Sequence, residues 1–447
     1  MEPIKPGEGT PRTLETDYLI IGAGAMGMAF ADVVFHEQPS AEIILVDRRA
    51  RPGGHWNDAY PYVALHQPAA FYGLNSARLG TGGRDLASGP EIVGYYHRAL
   101  QRMLASGRVR FMAQYEHHGD GRLESLLDAG GACQVAIRER LVDAGHMTVK
   151  VPATHRPRYA VADGMTIVPP NRLAQLKTPW ERYTVIGAGK TGMDAILFLL
   201  AQGVSARRIC WIVPNEAWLW NRDFIQPGLA LDMFLGQLQA VADHRGDPDR
   251  IFPALEAQGS ILRIDQTVQP VKWRCATVDP AEVAALRTVE NVIRLGRVHR
   301  ITESELQLEQ GSVPTDAATL HVDCTADGLA KLPPRPLFEP GRITLQSLFM
   351  CQQVLSAAII GRMSQLKLDD DALNALVQVI PHPEFKEDLV PALLTSVDNL
   401  LQLTPKMPFW LRGARLNFMH HESVWRYLAG AVKARSRLNQ ARRSMAS

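Results

Sequence analysis

The sequence predicts an α/β fold with two βαβ units on parallel sheets, the second inserted in the first, followed by a mainly helical C-terminal part. Three observations predict it. Apolar runs of strand length lead twice into a Gly-x-Gly-x-x-Gly turn, at Gly22–Gly27 and at Gly187–Gly192. Each turn is followed by a helix-length apolar segment and then by a second apolar run. The last third, at 371–379, 386–403 and 423–443, reads as helices.

The first unit is complete in itself. Tyr18-Leu19-Ile20-Ile21 leads into the turn, 26–35 follows as a helix, and Ile43-Ile44-Leu45-Val46 ends on Asp47. This is the fingerprint of a Rossmann-like dinucleotide-binding domain. Gly22 permits the tight turn, and Gly24 lets the backbone approach a diphosphate. Ala25 and Met26 stand at the helix N-terminus that favours its charge, and Gly27 lets helix and strand pack closely. Asp47 is placed to hold ribose hydroxyls.

In the second unit Tyr183-Thr184-Val185-Ile186 enters Gly187-Ala188-Gly189-Lys190-Thr191-Gly192, with a helix over 193–202 and a strand over 209–213. A P-loop would need glycine five residues before Gly189, where Thr184 stands, so that reading fails. Gly187, Gly189, Lys190, Thr191 and Gly192 are the expected contacts of a second nucleotide. The second strand ends without an acid at its tip, and Lys190, Arg207, Arg208 and Arg222 lie nearby in sequence. This leans towards a 2′-phosphate, with Arg222 as a ligand, and so to NADPH. Glu216 leaves NADH open.

Composition narrows the classes. With 447 residues, 46% hydrophobic and a net charge of +2, the chain offers no global case for nucleic acid. No apolar run reaches the length of a membrane span, and 1–15 reads as a flexible tail without a signal peptide. The five cysteines are scattered, which suggests neither a metal knuckle nor a local redox disulfide and fits reduced thiols in a cytoplasm. No metal is expected, and the adjacent pair His420-His421 lacks further ligands.

The first turn, the Gly53-Gly54-His55-Trp56 element after it and the second glycine turn resemble the two-dinucleotide flavoprotein monooxygenases. These comprise flavin-containing, Baeyer–Villiger and N-hydroxylating enzymes. Val185 to Trp220 is also similar to poorly characterised bacterial FAD/NAD(P)-binding oxidoreductases. The resemblance implies FAD on the first unit and NADPH on the second. It implies an oxidoreductase reduced by NAD(P)H that oxygenates a small organic substrate through a C4a-(hydro)peroxyflavin. Two alternatives stay open: a flavin-dependent reductase or dehydrogenase without oxygen insertion, and a non-catalytic redox sensor. The monooxygenase signature between the units is incomplete, since Val151 and Pro152 stand where Phe and Gly are expected before His155. That bears on the oxygen step.

The resemblance also suggests site residues. Arg48, Gly54, His55 and Trp56 would wrap the FAD ribose and diphosphate. Thr325 and Ala326, after the strand Leu320–Cys324, would carry the chain back to the FAD domain. Ser356 and Ala357 would open a late helix aimed at the flavin. His66, Tyr72 and Arg222 are the candidates for orienting substrate or flavin, although each is more simply a packed side chain. The expected domains are 16–175 with 318–447 for FAD, and 176–317, with a helical insertion at 230–243 and 249–258, for NAD(P)H. The expected partner is a small molecule, with no nucleic acid and no membrane; oligomeric state is open.

Overall fold

The computed structural model describes residues 12–81 and 85–446. A main sheet and a second parallel sheet each carry one glycine turn. In the main sheet the strands run in the order Phe338–Glu339, Arg342–Thr344, Cys133–Asp143, Arg12–Ile21, Ile43–Asp47 and Val109–Ala113. The last five of these pair in parallel. All five residues of Ile43–Asp47 are buried, as a strand covered on both faces requires. The helix Ala25–Glu37 is buried along most of its length because a second helix, Gln353–Met363, packs on it. Gly361 makes the close approach: a Cβ there would lie 3.3 Å from Val33 and 3.4 Å from Phe30.

The second sheet is entirely parallel, in the order Val292–Ile293, Ile209–Ile212, Arg182–Ile186, Thr319–Asp323 and Thr166–Val168. Three expectations change here. Thr319–Asp323 belongs to this second sheet, because it pairs residue for residue with Arg182–Ile186. The strand that returns to the first sheet is Arg342–Thr344. Gln134–Ile137 reads in the sequence as a short strand of a small side sheet; the observed strand Cys133–Asp143 instead extends the main sheet beside Arg12–Ile21. That first strand also takes in the last four residues of the segment read as a tail; residues 1–11 of it lie outside the described residues.

The insertion leaves the second unit after the strand Ile209–Ile212. Ala217–Asn221, Ile261–Leu262 and Lys272–Val278 form a three-stranded sheet around the fully buried Trp218 and Trp273. Helices Ala230–Asp243 and Pro248–Ala257 cover it, close to the expected 230–243 and 249–258. The C-terminal helix Val424–Ala446 packs on the first of these. Gly430 permits this, since a Cβ there would stand 2.9 Å from Leu231. The amphipathic pattern of the sequence predicts a helix over 91–106; it is observed as Gly89–Leu104, held by a Ser88/Glu91 capping box. Its buried face carries Ile92, Tyr95, Tyr96, Leu100 and Met103.

Candidate functional site

A cavity of about 510 Å³ runs from the first glycine turn to the insertion. Gly22, Gly24, Ala25, Met26, Asp47, Gly54, His55 and Trp56 all line it. Gly22 has φ +104°, and Gly27 lies beneath it: a Cβ on Gly27 would meet the Gly22 carbonyl at 1.9 Å. Gly27 therefore supports the turn and does not line the cavity. Gly24 caps the helix Ala25–Glu37 with no side-chain cap, which leaves the N-terminus facing the cavity. Gly53 and Gly54, at φ +111° and +56°, fold over it. A Cβ on Gly54 would lie 3.0 Å from the Gly24 Cα.

Asp47 closes this cradle from the next strand. Its Oδ2 accepts from the Ala23 backbone N–H at 2.8 Å and its Oδ1 from that of Arg49 at 2.8 Å. Burial pushes its carboxyl above the usual range, while those two N–H groups oppose the shift. Two oxygens with one protein donor each retain lone pairs for ribose hydroxyls. Arg48 points away: it is 71% exposed and pairs with Glu116. Arg49 takes the cavity position, held by Asp58 at 2.6 Å. The chain leaves the strand after Asp47, so the two successive arginines face opposite ways.

His66 and Tyr72 both line the cavity. The Trp56 indole N–H donates to the Tyr72 hydroxyl at 2.7 Å, and burial pushes the phenol up to about 12. The Thr277 backbone N–H donates to His66 Nδ1 at 3.2 Å, which places the ring proton on Nε2. Burial, with the charges of Lys190 and Arg222, lowers His66 to about 3. Both rings are therefore neutral near pH 7.

Arg222 is a correction. It does not line the cavity; its guanidinium is buried and committed to Asp279 at 2.7 Å, Glu282 at 2.6 Å and the His66 carbonyl at 2.9 Å. Asp279 and Glu282 are the capping box of the helix Pro280–Leu286. Arg222 thus clamps the segment after the first unit to the second unit, with no donor pair left for a phosphate. Thr325 and Ala326 are likewise outside the cavity. They follow the strand paired into the second sheet, and Thr325 hydrogen-bonds Asp323. Ser356 and Ala357 are fully buried inside the helix, whose cap is Gln352. Ser356 Oγ accepts from the Leu348 N–H and donates to the Gln352 carbonyl. Gln352, Gln353 and Val354 are the helix residues at the cavity.

The second turn has the geometry of the first. Gly187 has φ +123°, and a Cβ on Gly192 would lie 2.1 Å from the Gly187 carbonyl. Gly189 caps the helix Lys190–Ala201 and faces open space. Lys190 is paired with Asp194 and, at 3.5 Å, with Glu282. Thr191, second in that helix, is half-buried. Beyond the tip of the second strand, Glu216 is buried against Arg294 at 2.8 Å, and Arg294 also binds Asp265 at 2.9 Å. Arg294 follows the parallel strand Val292–Ile293, and no local pattern of residues marks it.

Comparison with known proteins places this geometry. No family model matches the chain. Proteins of Mycobacterium tuberculosis (strain H37Rv) and Mycobacterium bovis, both called uncharacterized, are 40% identical over 433 residues, covering 93% of this chain and 80% of theirs. The chain belongs to their family. A FAD-containing monooxygenase of Mycolicibacterium smegmatis, EthA, is 21% identical over 224 residues, covering 47% of this chain and 44% of that one. Among solved structures, ε-caprolactone-bound cyclohexanone monooxygenase aligns with a TM-score of 0.53 at 15% identity, over 81% of this chain and 88% of that one. A polycyclic ketone monooxygenase of Thermothelomyces thermophila aligns at 0.52 and 12% identity, over 100% and 89%. The chain therefore has the fold of the flavin monooxygenases. Among the described residues no helix is long and apolar enough to cross a membrane.

In this member of the family the cysteine reading needs correction. Cys275 and Cys351, 76 residues apart, form a disulfide that lines the cavity. It ties the insertion strand Lys272–Val278 to the residue before the cap of the helix Gln353–Met363. Spacing could not reveal a pair made by packing two distant segments. Cys210 and Cys324 are free thiols. Burial pushes the Cys324 thiol well up, as for a small core residue and not a nucleophile.

Proposed function

We propose that the protein is a FAD-dependent oxidoreductase reduced by NAD(P)H, and that it acts as a monooxygenase on a small organic substrate. One observation carries the reading: a single cavity joins the glycine cradle at Gly24 and Gly54 to an apolar chamber walled by the insertion. The residues fit FAD. The cradle lacks the Cβ atoms that would fill it, an uncapped helix N-terminus faces it, and Asp47 is joined to that turn through the Ala23 N–H at 2.8 Å. FAD bound there would supply two-electron redox chemistry and oxygen activation.

The chain's own part is binding, orientation and exclusion of water. The first unit and the C-terminal part would hold FAD, and the second unit would hold the nicotinamide nucleotide at Gly187 to Gly192. The start of the helix Gln353–Met363 reaches the cavity, and its positive end favours negative charge there. Neutral His66 and Tyr72 orient groups through Nε2 and the hydroxyl without adding charge. NADPH and NADH are both kept, because Arg222 is committed elsewhere and Arg294 is balanced by Glu216 and Asp265.

A second reading, a flavin-dependent reductase without oxygen insertion, is favoured by the disulfide in the cavity wall. A hydride from a dihydronicotinamide, carrying two electrons and one proton, with a second proton from solvent, would break its S–S bond and leave two thiols. The FAD-loaded protein separates the two when reduced without air and then exposed to labelled dioxygen with cycloheptanone as probe. Label in an oxygenated product supports the monooxygenase. New alkylatable thiols at Cys275 and Cys351 without labelled product support the reductase. Neither result, on a protein that does not take up FAD, refutes both.

A further inference from the structure

The helix Ala230–Asp243 presents Ala230, Met233, Phe234 and Gln237 to the cavity. Their spacing, i, i+3, i+4 and i+7, is one helical face. Three of the four are apolar. Phe349 and Phe418 continue the wall, with ring centroids 5.7 and 5.4 Å from Phe234 and 5.2 Å from each other.

Gln237 breaks this pattern. It is 1% exposed, yet among the described residues neither Nε2 nor Oε1 has a hydrogen-bond partner. A buried amide without partners is costly, and native chains keep few of them. An apolar residue at this position would complete the stripe at no such cost. Gln237 is one of the residues that line the cavity, so a partner for its orphaned amide is to be sought there.

We propose that Gln237 is the polar anchor of a substrate pocket on this face. Its ligand is an uncharged, largely apolar molecule carrying a donor and an acceptor side by side, as a lactam does. The inference rests on the reading of this cavity as the catalytic site. In a lactam the cis amide presents N–H and C=O on one edge. The ligand N–H donates to Gln237 Oε1, and the ligand carbonyl accepts from Gln237 Nε2. The phenylalanine wall takes the hydrocarbon part. A ligand with an acceptor alone satisfies Nε2 and leaves Oε1 unpaired.

The test is calorimetric titration of the purified full chain with ε-caprolactam and with cycloheptanone, its match with CH₂ for N–H. Wild type, Gln237→Leu and Gln237→Met are compared, and the visible spectrum of each sample reports its flavin. Relative to wild type, the preference for lactam over ketone is expected to fall about tenfold in both variants. Their ligand-free melting temperatures stay level or rise, because an unpaired amide has been removed. An unchanged ratio, or no binding of either probe to wild type, overturns the inference. So does a drop of several degrees in both variants, which would make Gln237 structural. A colourless protein that still prefers the lactam fails the flavin reading alone; a yellow protein with an unchanged ratio fails this inference alone.

Discussion

Gly24 and Gly54 meet across the mouth of the cavity, so close that a Cβ on Gly54 would stand 3.0 Å from the Gly24 Cα. Gly54 also holds φ +56°, a region β-branched residues rarely enter. Gly54→Val should lower FAD retention by roughly tenfold or more. Equilibrium dialysis against FAD checks this. Retention equal to wild type would separate the glycine pair from cofactor binding.

Arg222 acts on stability, not on nucleotide binding. Arg222→Met leaves Asp279 and Glu282 without their buried partner, at a cost of roughly 2–4 kcal/mol. The urea midpoint should fall accordingly. Any folded fraction should keep its ratio of NADPH to NADH affinity; a selective loss of NADPH would return Arg222 to the phosphate.

Acid should destabilise the substrate-free chain. Burial lowers His55 from 6.5 to about 4, His66 to about 3 and His382 to about 4. Each folded pKa lies below the unfolded one, so the unfolded chain takes up these protons first. Their contribution is present above about 6.5 and is lost as pH falls towards 4 and 3. Urea midpoints at pH 7 and pH 5 should differ, and His66→Gln should shrink the difference. An equal difference in that variant would remove His66 from the account.

Cys275–Cys351 joins segments 76 residues apart. Cys275→Ser with Cys351→Ser should cost about 2–4 kcal/mol by freeing that loop in the unfolded chain. Denaturant melts with and without a thiol reductant check it: the reductant should lower the wild-type midpoint and leave the double variant unmoved.

Both glycine turns were legible because their chemistry is local: strand, turn and helix follow one another within each unit, and in the first an acid follows too. The insertion helices were legible from their period. Pairing across distance was not. Thr319–Asp323 reads as a buried strand wherever it lies, and only its neighbours show which sheet it joins. Cys275 meets Cys351, and Arg222 meets Asp279 and Glu282, through tertiary packing that no spacing encodes. Arg48 and Arg49 could not be told apart without the path of the chain beyond Asp47. Gln237 lies in a helix whose polar residues look solvent-facing until the cavity is seen.

The most direct measurement is the visible spectrum of the purified protein incubated with FAD, gel-filtered, and then treated with NADPH without air. The account predicts a yellow protein holding one FAD per chain that bleaches on NADPH. A protein that leaves the column colourless, with the Gly24–Gly54 cradle intact, would contradict it.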